Sequence, residues 1–194
     1  MDADFSIELA REDPVLDFPW TDPAGKFFYV DLKRRPELVA LIAEAKQFPE
    51  LEEFLRLVNS PPSMVETAKC DAWATAEQSA EEEVYEASHK FASYVDVVFS
   101  DLEARRPPLD QSLAIHEHFA RKLTEWLRRA PETSSAAEVC VRRCYFGVDG
   151  GVQEGFYCTL YVSGYGDDNA GARQNWGVAL NLMGEAIIQL SARR

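Results

Sequence analysis

The fold of this chain is decided by residues 138–163, which read EVCVRRCYFGVDGGVQEGFYCTLYVS. Apolar and polar residues alternate through 138–146 and again through 155–163, which is typical of two β-strands with one buried face. Between them, residues 148–151 (VDGG) supply the Asp-Gly and Gly-Gly pairs that favour a tight turn. The stretch therefore predicts a β-hairpin.

A second strand pair and two long helices extend this hairpin. Residues 67–75 and 89–100 are predicted strands, whereas 110–129 and 168–190 carry apolar residues at steps of three and four, the spacing of an amphipathic helix. The order after residue 62 is therefore strand, strand, helix, strand, strand, helix. We expect an α+β fold in which an antiparallel sheet of four or more strands carries both long helices on one face.

Residues 1–62 precede this ββαββα core (63–194) and are predicted to extend it within a single domain, 1–194. The segment 26–32 (KFFYVDL) is the predicted N-terminal strand. Pro36 and Pro49 stand where two short helices would begin, because proline is favoured at the first helical position. We expect this helical pair to cover the second face of the sheet; the alternative is that this face stays wholly or partly open.

The charge of the chain excludes some classes of partner. With 33 acidic and 20 basic residues the net charge is −13, which repels nucleic acid and anionic membranes. The charge indicates either solubility alone or a faster encounter with a basic protein partner. No apolar run approaches the roughly 20 residues that span a bilayer. The acidic N-terminus lacks the basic and apolar regions of a secretory signal, so we expect a cytoplasmic protein.

The four cysteines, Cys70, Cys140, Cys144 and Cys158, match no metal or redox spacing. A cytosolic domain of this size does not need disulfides, so we expect reduced thiols on the buried face of the sheet and no cofactor or metal. Strand alternation also places Arg142 on that face, between Cys140 and Cys144. Burying an unpaired guanidinium is costly, so Arg142 is predicted to pair with a carboxylate; the alternatives are a strand edge, a bulge or a ligand-facing arginine.

Motifs of catalysis are missing from the sequence. There is no Ser/His/Asp order, no G-x-S-x-G and no H-E-x-x-H. His116 lies in the apolar stripe of a predicted helix, which indicates a packed core histidine, and an enzyme that uses Asp71, Asp96 or His116 is the least favoured function. After Gly164-x-Gly166, Asp168 or Asn169 is predicted to cap the last helix.

The remaining candidate for function is a surface. Strand alternation predicts that the outward sheet face carries aromatic and charged side chains together, as protein interfaces and ligand platforms do. The candidate binding residues are Trp73, Tyr94, Asp96, Arg143, Tyr145, Tyr157 and Tyr161.

Two functions follow from this surface. We expect a soluble, non-catalytic interaction protein that binds or neutralises a basic protein partner; immunity and inhibitor proteins are an example, by analogy of charge and size alone. The alternative is a sensor that holds a small ligand on the aromatic face, with Arg143 selecting an anion. The last helix is apolar all round, which indicates either deep burial or a homodimer interface.

Overall fold

The computed structural model of the protein describes residues 1–77, 82–101, 108–148 and 151–192, and it confirms the predicted α+β class. The strands of these residues are β1 (Asp2–Glu8), β2 (Leu16–Phe18), β3 (Val65–Thr75), β4 (His89–Phe99), β5 (Ser135–Val148) and β6 (Gly151–Gly166). The α-helices are α1 (Ala43–Gln47), α2 (Pro49–Val58), α3 (Leu109–Leu127) and α4 (Asn169–Ser191), with short 3-10 helices at Pro36–Leu41 and Glu82–Tyr85.

The described strands form one sheet in the order β1-β5-β6-β4-β3. The four strands of the predicted core pair antiparallel, as expected. β1 and β2 follow one another along the outer edge of β5 and run parallel to it, opposite residues 136–142 and 144–146. The first 62 residues are therefore built into the sheet of the core.

The predicted N-terminal strand at 26–32 is wrong. In that segment the described residues form a single bridge, between Thr21 and Phe28, and the place beside β5 is taken by β2. Leu16 and Phe18 of β2 are buried, whereas Phe27 and Phe28 are exposed neighbours. Alternate residues Phe28, Val30 and Leu32 do share an apolar face, but the edge of β5 is occupied by β2, whose Leu16 and Phe18 pack with Cys144 and Phe146.

All four α-helices of the described residues gather on one face of the sheet, which corrects the expected position of the N-terminal helical pair. Trp176 of α4 is fully buried against β4, where its Nε1 donates to Ser93 Oγ at 2.8 Å. Phe48, which precedes α2, packs edge-on against Phe91 of β4 with ring centroids 5.1 Å apart and against Trp176 at 6.0 Å. The N-terminal helical pair therefore lies beside α4 and does not cover the second face of the sheet.

The last helix lies in the middle of this layer, over β4 and β6 and between α2 and α3, and is buried on several sides. It is not apolar all round as predicted, because its exposed side carries the polar residues Gln174, Asn181, Glu185 and Gln189. A β-carbon at Gly177 would lie 3.0 Å from Glu50 Cγ, and one at Gly184 would lie 2.7 Å from Leu57 Cδ2. The expected close approach on the glycine side is confirmed, and the neighbour is α2. Homodimerisation stays a prediction.

Two glycines at the end of β6 bring α4 directly onto the strand. A β-carbon at Gly164 would lie 2.1 Å from the backbone nitrogen of Trp176, and one at Gly166 would lie 2.5 Å from that of Ala172. Asp168 caps the helix as predicted, since its Oδ1 accepts from the amide of Gly171 at 2.7 Å.

Three smaller points complete the comparison with the sequence. The N-cap of α3 is Pro108, so the predicted cap Asp110 lies in the first turn. All four cysteines are free thiols, and Cys140, Cys144 and Cys158 are buried. No helix of the described residues combines the length and the apolar character needed to cross a membrane.

Replacing Gly164 with alanine is expected to lower the free energy of unfolding by about 3 kcal/mol, because the added methyl group meets backbone atoms of α4 that cannot rotate away. Urea unfolding followed by circular dichroism measures the change. The matched control is Gly151→Ala, where no described atom lies within 4 Å of the new carbon. Equal stability of Gly164→Ala and the wild type would contradict the direct contact.

Candidate functional site

The open face is the side of the sheet opposite α4, and the row Trp73, Tyr94, Tyr161 crosses it from β3 through β4 to β6. Neighbouring rings of this row lie 6.4 Å apart, both from Trp73 to Tyr94 and from Tyr94 to Tyr161. Register places Asp96 of β4 on the same face, opposite Thr159 of β6. Four of the candidate binding residues are therefore brought together as expected.

Arg143 and Tyr145 lie on the other face, contrary to the expected alternation of β5. Arg143 pairs with Phe156, whose ring packs against His116 of α3 at 5.8 Å. The residues of β5 that enter the main core are Ala137, Val139 and Val141. Cys140 and Cys144 consequently face the open side, and only Cys70 and Cys158 keep the predicted orientation.

Tyr157 lies on the open face but is 3% exposed. It belongs to a second apolar cluster, in which Leu16 and Phe18 of β2 pack over Cys144 and Phe146. The N-terminal segment therefore closes this end of the open face, and the ring of Tyr157 has little surface to offer a partner.

Arg142 organises the centre of the open face, and the predicted ion pair is confirmed. Its Nε and Nη2 each lie 2.7 Å from Glu8 Oε2 on β1. Its Nη1 donates to Thr159 Oγ1 and to Tyr161 Oη, both at 3.0 Å. Because its donors are engaged inside the protein, this guanidinium fixes the strands and the Tyr161 ring rather than offering a free anion site.

Asp96 lies beside this arginine network and is 7% exposed. Burial raises the pKa of its carboxyl group to about 6, against the opposing effects of the Thr159 hydrogen bond and of the Lys69 and Arg142 charges. Thr159 donates its one hydroxyl proton to Asp96 Oδ1 at 2.7 Å while it accepts from Arg142. The chain of hydrogen bonds from Glu8 to Asp96 therefore has a fixed direction.

The acidic cleft is a cavity of about 710 Å³ at one end of the open face. It is lined by the aromatic and acidic side chains Trp73, Tyr161, Tyr85, Tyr165, Asp2, Asp4, Glu82 and Glu138, together with Lys90 and Arg128. Lys90 pairs with Glu82, and Arg128 pairs with Asp4 at 3.1 Å. Among the described residues, no cation pairs with Asp2 or Glu138.

A stacked tyrosine pair forms one wall of the acidic cleft. The rings of Tyr85 and Tyr165 are nearly parallel, with centroids 4.0 Å apart. Tyr85 Oη donates to Asp2 Oδ2 and Tyr165 Oη donates to Glu82 Oε1, each at 2.6 Å. Burial, reinforced by these carboxylates, raises the pKa of both phenols, so they remain proton donors.

The aromatic pocket, a cavity of about 480 Å³, lies at the β3 edge of the sheet, where Leu41, Ala43 and Leu55 of the short helices also line it. Lys69 Nζ is 5.4 Å from the centroid of the Trp20 ring and 5.6 Å from that of Tyr94. Phe27 and Phe28 also line the pocket, with 52% and 56% of their surfaces exposed. Adjacent exposed aromatic side chains form an apolar patch, and such patches often mark interaction surfaces.

Two other groups of polar side chains have structural explanations. Glu8, Glu138 and Cys140 bring possible metal-ligand atoms within 4.8 Å of one another, but Glu8 holds Arg142, and burial raises the pKa of the Cys140 thiol to about 12. His116 is a core histidine as predicted: its Nδ1 donates to Ser112 O at 2.7 Å and its ring packs edge-on against Phe99.

The residues that sequence reasoning missed are Asp2, Glu82, Tyr85, Glu138 and Tyr165. Glu138 carried a usable signal, because Glu138 and Arg142 alternate with three small apolar residues of β5 that enter the core. The alternation of the cysteines predicts the opposite phase. Tyr165 lies on β6 beyond residue 163, where the predicted strand ends, and Asp2, Glu82 and Tyr85 come from segments whose position beside β5 and β6 has no local sequence signal.

Comparison with known proteins gives no relative from which a role could be carried over. No family model matches the chain, and neither a curated protein nor a solved structure matches it.

Replacing Asp96 with asparagine is expected to raise the free energy of unfolding at pH 7.5 by up to about 3 kcal/mol. This is the free-energy equivalent of the shift in the Asp96 pKa from 3.8 to about 6. A raised carboxyl pKa favours the folded state at low pH, and this advantage is lost as the pH rises from 3.8 through 6. The gain should therefore vanish below pH 4.

Urea unfolding of both proteins between pH 4 and pH 8 measures this difference. Asp71→Asn, which removes an exposed carboxylate from the same face, is the control. A variant Asp96→Asn that is less stable than the wild type at pH 7.5 would show that Arg142 and Lys69 overcompensate the burial of Asp96.

Proposed function

We propose that this chain is a non-catalytic interaction protein that binds a basic protein partner through its open face. The observation that carries the proposal is the acidic cleft, where the carboxylates of Asp2 and Glu138 have no cationic partner among the described residues and lie with the rings of Trp73 and Tyr161 in one cavity.

The lining of the acidic cleft suits a lysine or arginine side chain. An aromatic face attracts a cation through its quadrupole, and a nearby carboxylate adds a charge-assisted hydrogen bond. Trp73 is 40% exposed, so its ring is available, and the exposed Glu138 lies opposite Tyr161 in the same cavity. The Tyr161 ring is already held by Arg142, which reduces the entropy lost when a partner binds.

The aromatic pocket supplies the apolar part of the same surface. The row Trp73, Tyr94, Tyr161 connects it with the acidic cleft. Protein interfaces combine aromatic anchors with a polar rim. Phe27 and Phe28 expose apolar surface to water, and a partner that binds there would bury it. The two cavities together support one extended interface rather than two separate sites.

The charge of the whole chain acts in the same direction. A net charge of −13 attracts a basic protein over a distance of about 10 Å at moderate salt and speeds the encounter. A partner whose activity depends on the cations that enter the acidic cleft would be neutralised by the complex, as an inhibitor or immunity protein neutralises its target. A cytoplasmic location remains part of this proposal.

The second candidate function is a sensor of a small ligand on the aromatic face. It is favoured by the volume of the acidic cleft, about 710 Å³, which is typical of small-molecule sites. Its ligand would be a cation rather than the expected anion, because Arg143 lies on the other face and the cleft is acidic. A thermal shift with spermidine that exceeds the shift caused by equal ionic strength would favour this function.

The double variant Asp2→Asn, Glu138→Gln is expected to lose the basic partner. The tagged wild type is incubated with lysate at about 50 mM and about 500 mM salt, and basic proteins captured at the lower concentration alone are identified by mass spectrometry. The purified candidate is then titrated against each variant, and the double variant should bind at least about tenfold more weakly. Trp73→Ala should weaken binding to a similar extent.

The matched control removes the same charge elsewhere. Glu53→Gln, Glu132→Gln changes two exposed carboxylates outside the open face and should bind almost as the wild type does. If both double variants lose the partner equally, binding follows net charge and the acidic cleft is not the site. If neither loses it, the proposal is wrong.

A further inference from the structure

A groove separate from the acidic cleft and the aromatic pocket lies on the helical side of the molecule, away from the open face. It has a volume of about 630 Å³ and lies between α3, the end of α4 and the end of β4. Its floor is apolar and is formed by Met64, Phe99, Ile115, Phe119, Trp126 and Leu190. None of these residues takes part in the site proposed above.

The described residues cover the floor of the groove only in part. Phe99 and Phe119 pack edge-on with ring centroids 5.4 Å apart, and both are buried. Ile115, Trp126 and Leu190 are half-buried, so apolar surface in the groove remains in contact with water. Such surface is a favourable site for an apolar ligand, because binding removes it from water.

The rim of the groove carries His118 and Lys122 of α3 and Arg129, which follows the end of that helix. Glu125 also lies there and pairs with Lys122 at 2.8 Å. Arg129 and His118 are exposed and form no hydrogen bond or ion pair through their side chains with the part of the chain that is described. At this rim Arg129 is a cation with which no described carboxylate pairs, in a chain whose net charge is −13.

We propose that this groove binds an anionic amphipath with a single alkyl chain, such as a long-chain fatty acid. The chain would lie on the floor beside Trp126, and the carboxylate would meet Arg129 at the rim. Charge complementarity selects the anion: a cationic amphipath would place its head group against the same rim. The volume of the groove is in the range of small-molecule sites, about 300–1,000 Å³.

The test uses dodecanoate, decanoate and dodecylammonium as probes, titrated into the full chain by calorimetry below their micelle concentrations. Dodecanoate should bind with one molecule per chain. Each methylene contributes about fourfold in affinity, so decanoate should bind roughly 16-fold more weakly. Dodecylammonium should bind more weakly than dodecanoate, although the net charge of the protein favours the cation.

Two variants test whether dodecanoate binds in this groove. Ile115→Glu puts a charge on the floor and should abolish dodecanoate binding, and Arg129→Glu should weaken it at least tenfold. The control is Arg34→Glu, which reverses a charge on a side chain that is 87% exposed and lies outside the groove. It should leave dodecanoate affinity within twofold.

Two results would overturn the proposal. The first is that dodecylammonium binds as tightly as dodecanoate, since binding would then not be selected by the rim. The second is that Arg129→Glu binds dodecanoate as the wild type does. Should Ile115→Glu lose its circular dichroism signal, Arg129→Glu decides alone, because its side chain is exposed and the fold does not depend on it. The outcome is independent of any basic protein partner.

Discussion

The contact of α4 with bare backbone is the constraint on which the rest of this structure depends. At Gly164 and Gly166 the helix touches the strand before it without an intervening side chain, and at Gly177 and Gly184 it receives the side chains of α2. A helix held this close can be buried on several sides at once, and Trp176 is fully buried. The neighbouring helices then find their apolar partners on the same side of the sheet.

This one-sided layer explains why the open face is polar. With the apolar stripes of α2 and α3 already buried beside α4, the opposite face does not need to serve as a second full core. It is closed at one end by the cluster around Phe18 and is crossed elsewhere by the network of Glu8, Arg142, Thr159 and Asp96. Such a network fixes the strands and the Tyr161 ring in position, and here the arginine has three partners.

Much of the architecture could be predicted because its signals are local. The hairpin of β5 and β6, the stripe of α3 and the Asp168 cap depend on residues close in sequence. The predicted phase of β5 is wrong because it assigns the cysteines to the face covered by helices, whereas Cys140 and Cys144 are buried on the opposite side by β1 and β2.

The candidate site was less accessible to sequence reasoning, because it is assembled from distant segments. The aromatic row could be predicted from alternation, since Trp73, Tyr94 and Tyr161 lie on strands whose phase is clear. The acidic cleft could not be predicted, because Asp2 and Glu138 come to line one cavity through the parallel pairing of β1 with β5. No turn or residue spacing in the sequence indicates this pairing. Which face the short helices cover was equally undetermined, since an apolar stripe indicates burial but not the surface against which it is buried.

The pairing of β1 with β5 joins the first strand of the chain to residues about 134 positions later. During synthesis β1 therefore emerges long before its neighbour exists, and a strand without a neighbour exposes unpaired amide and carbonyl groups. Closing so long a loop is entropically unfavourable until β5 and β6 have formed, so the chain would fold from its later half and add its beginning last. The surface that includes Asp2 would then be completed in the final step of folding.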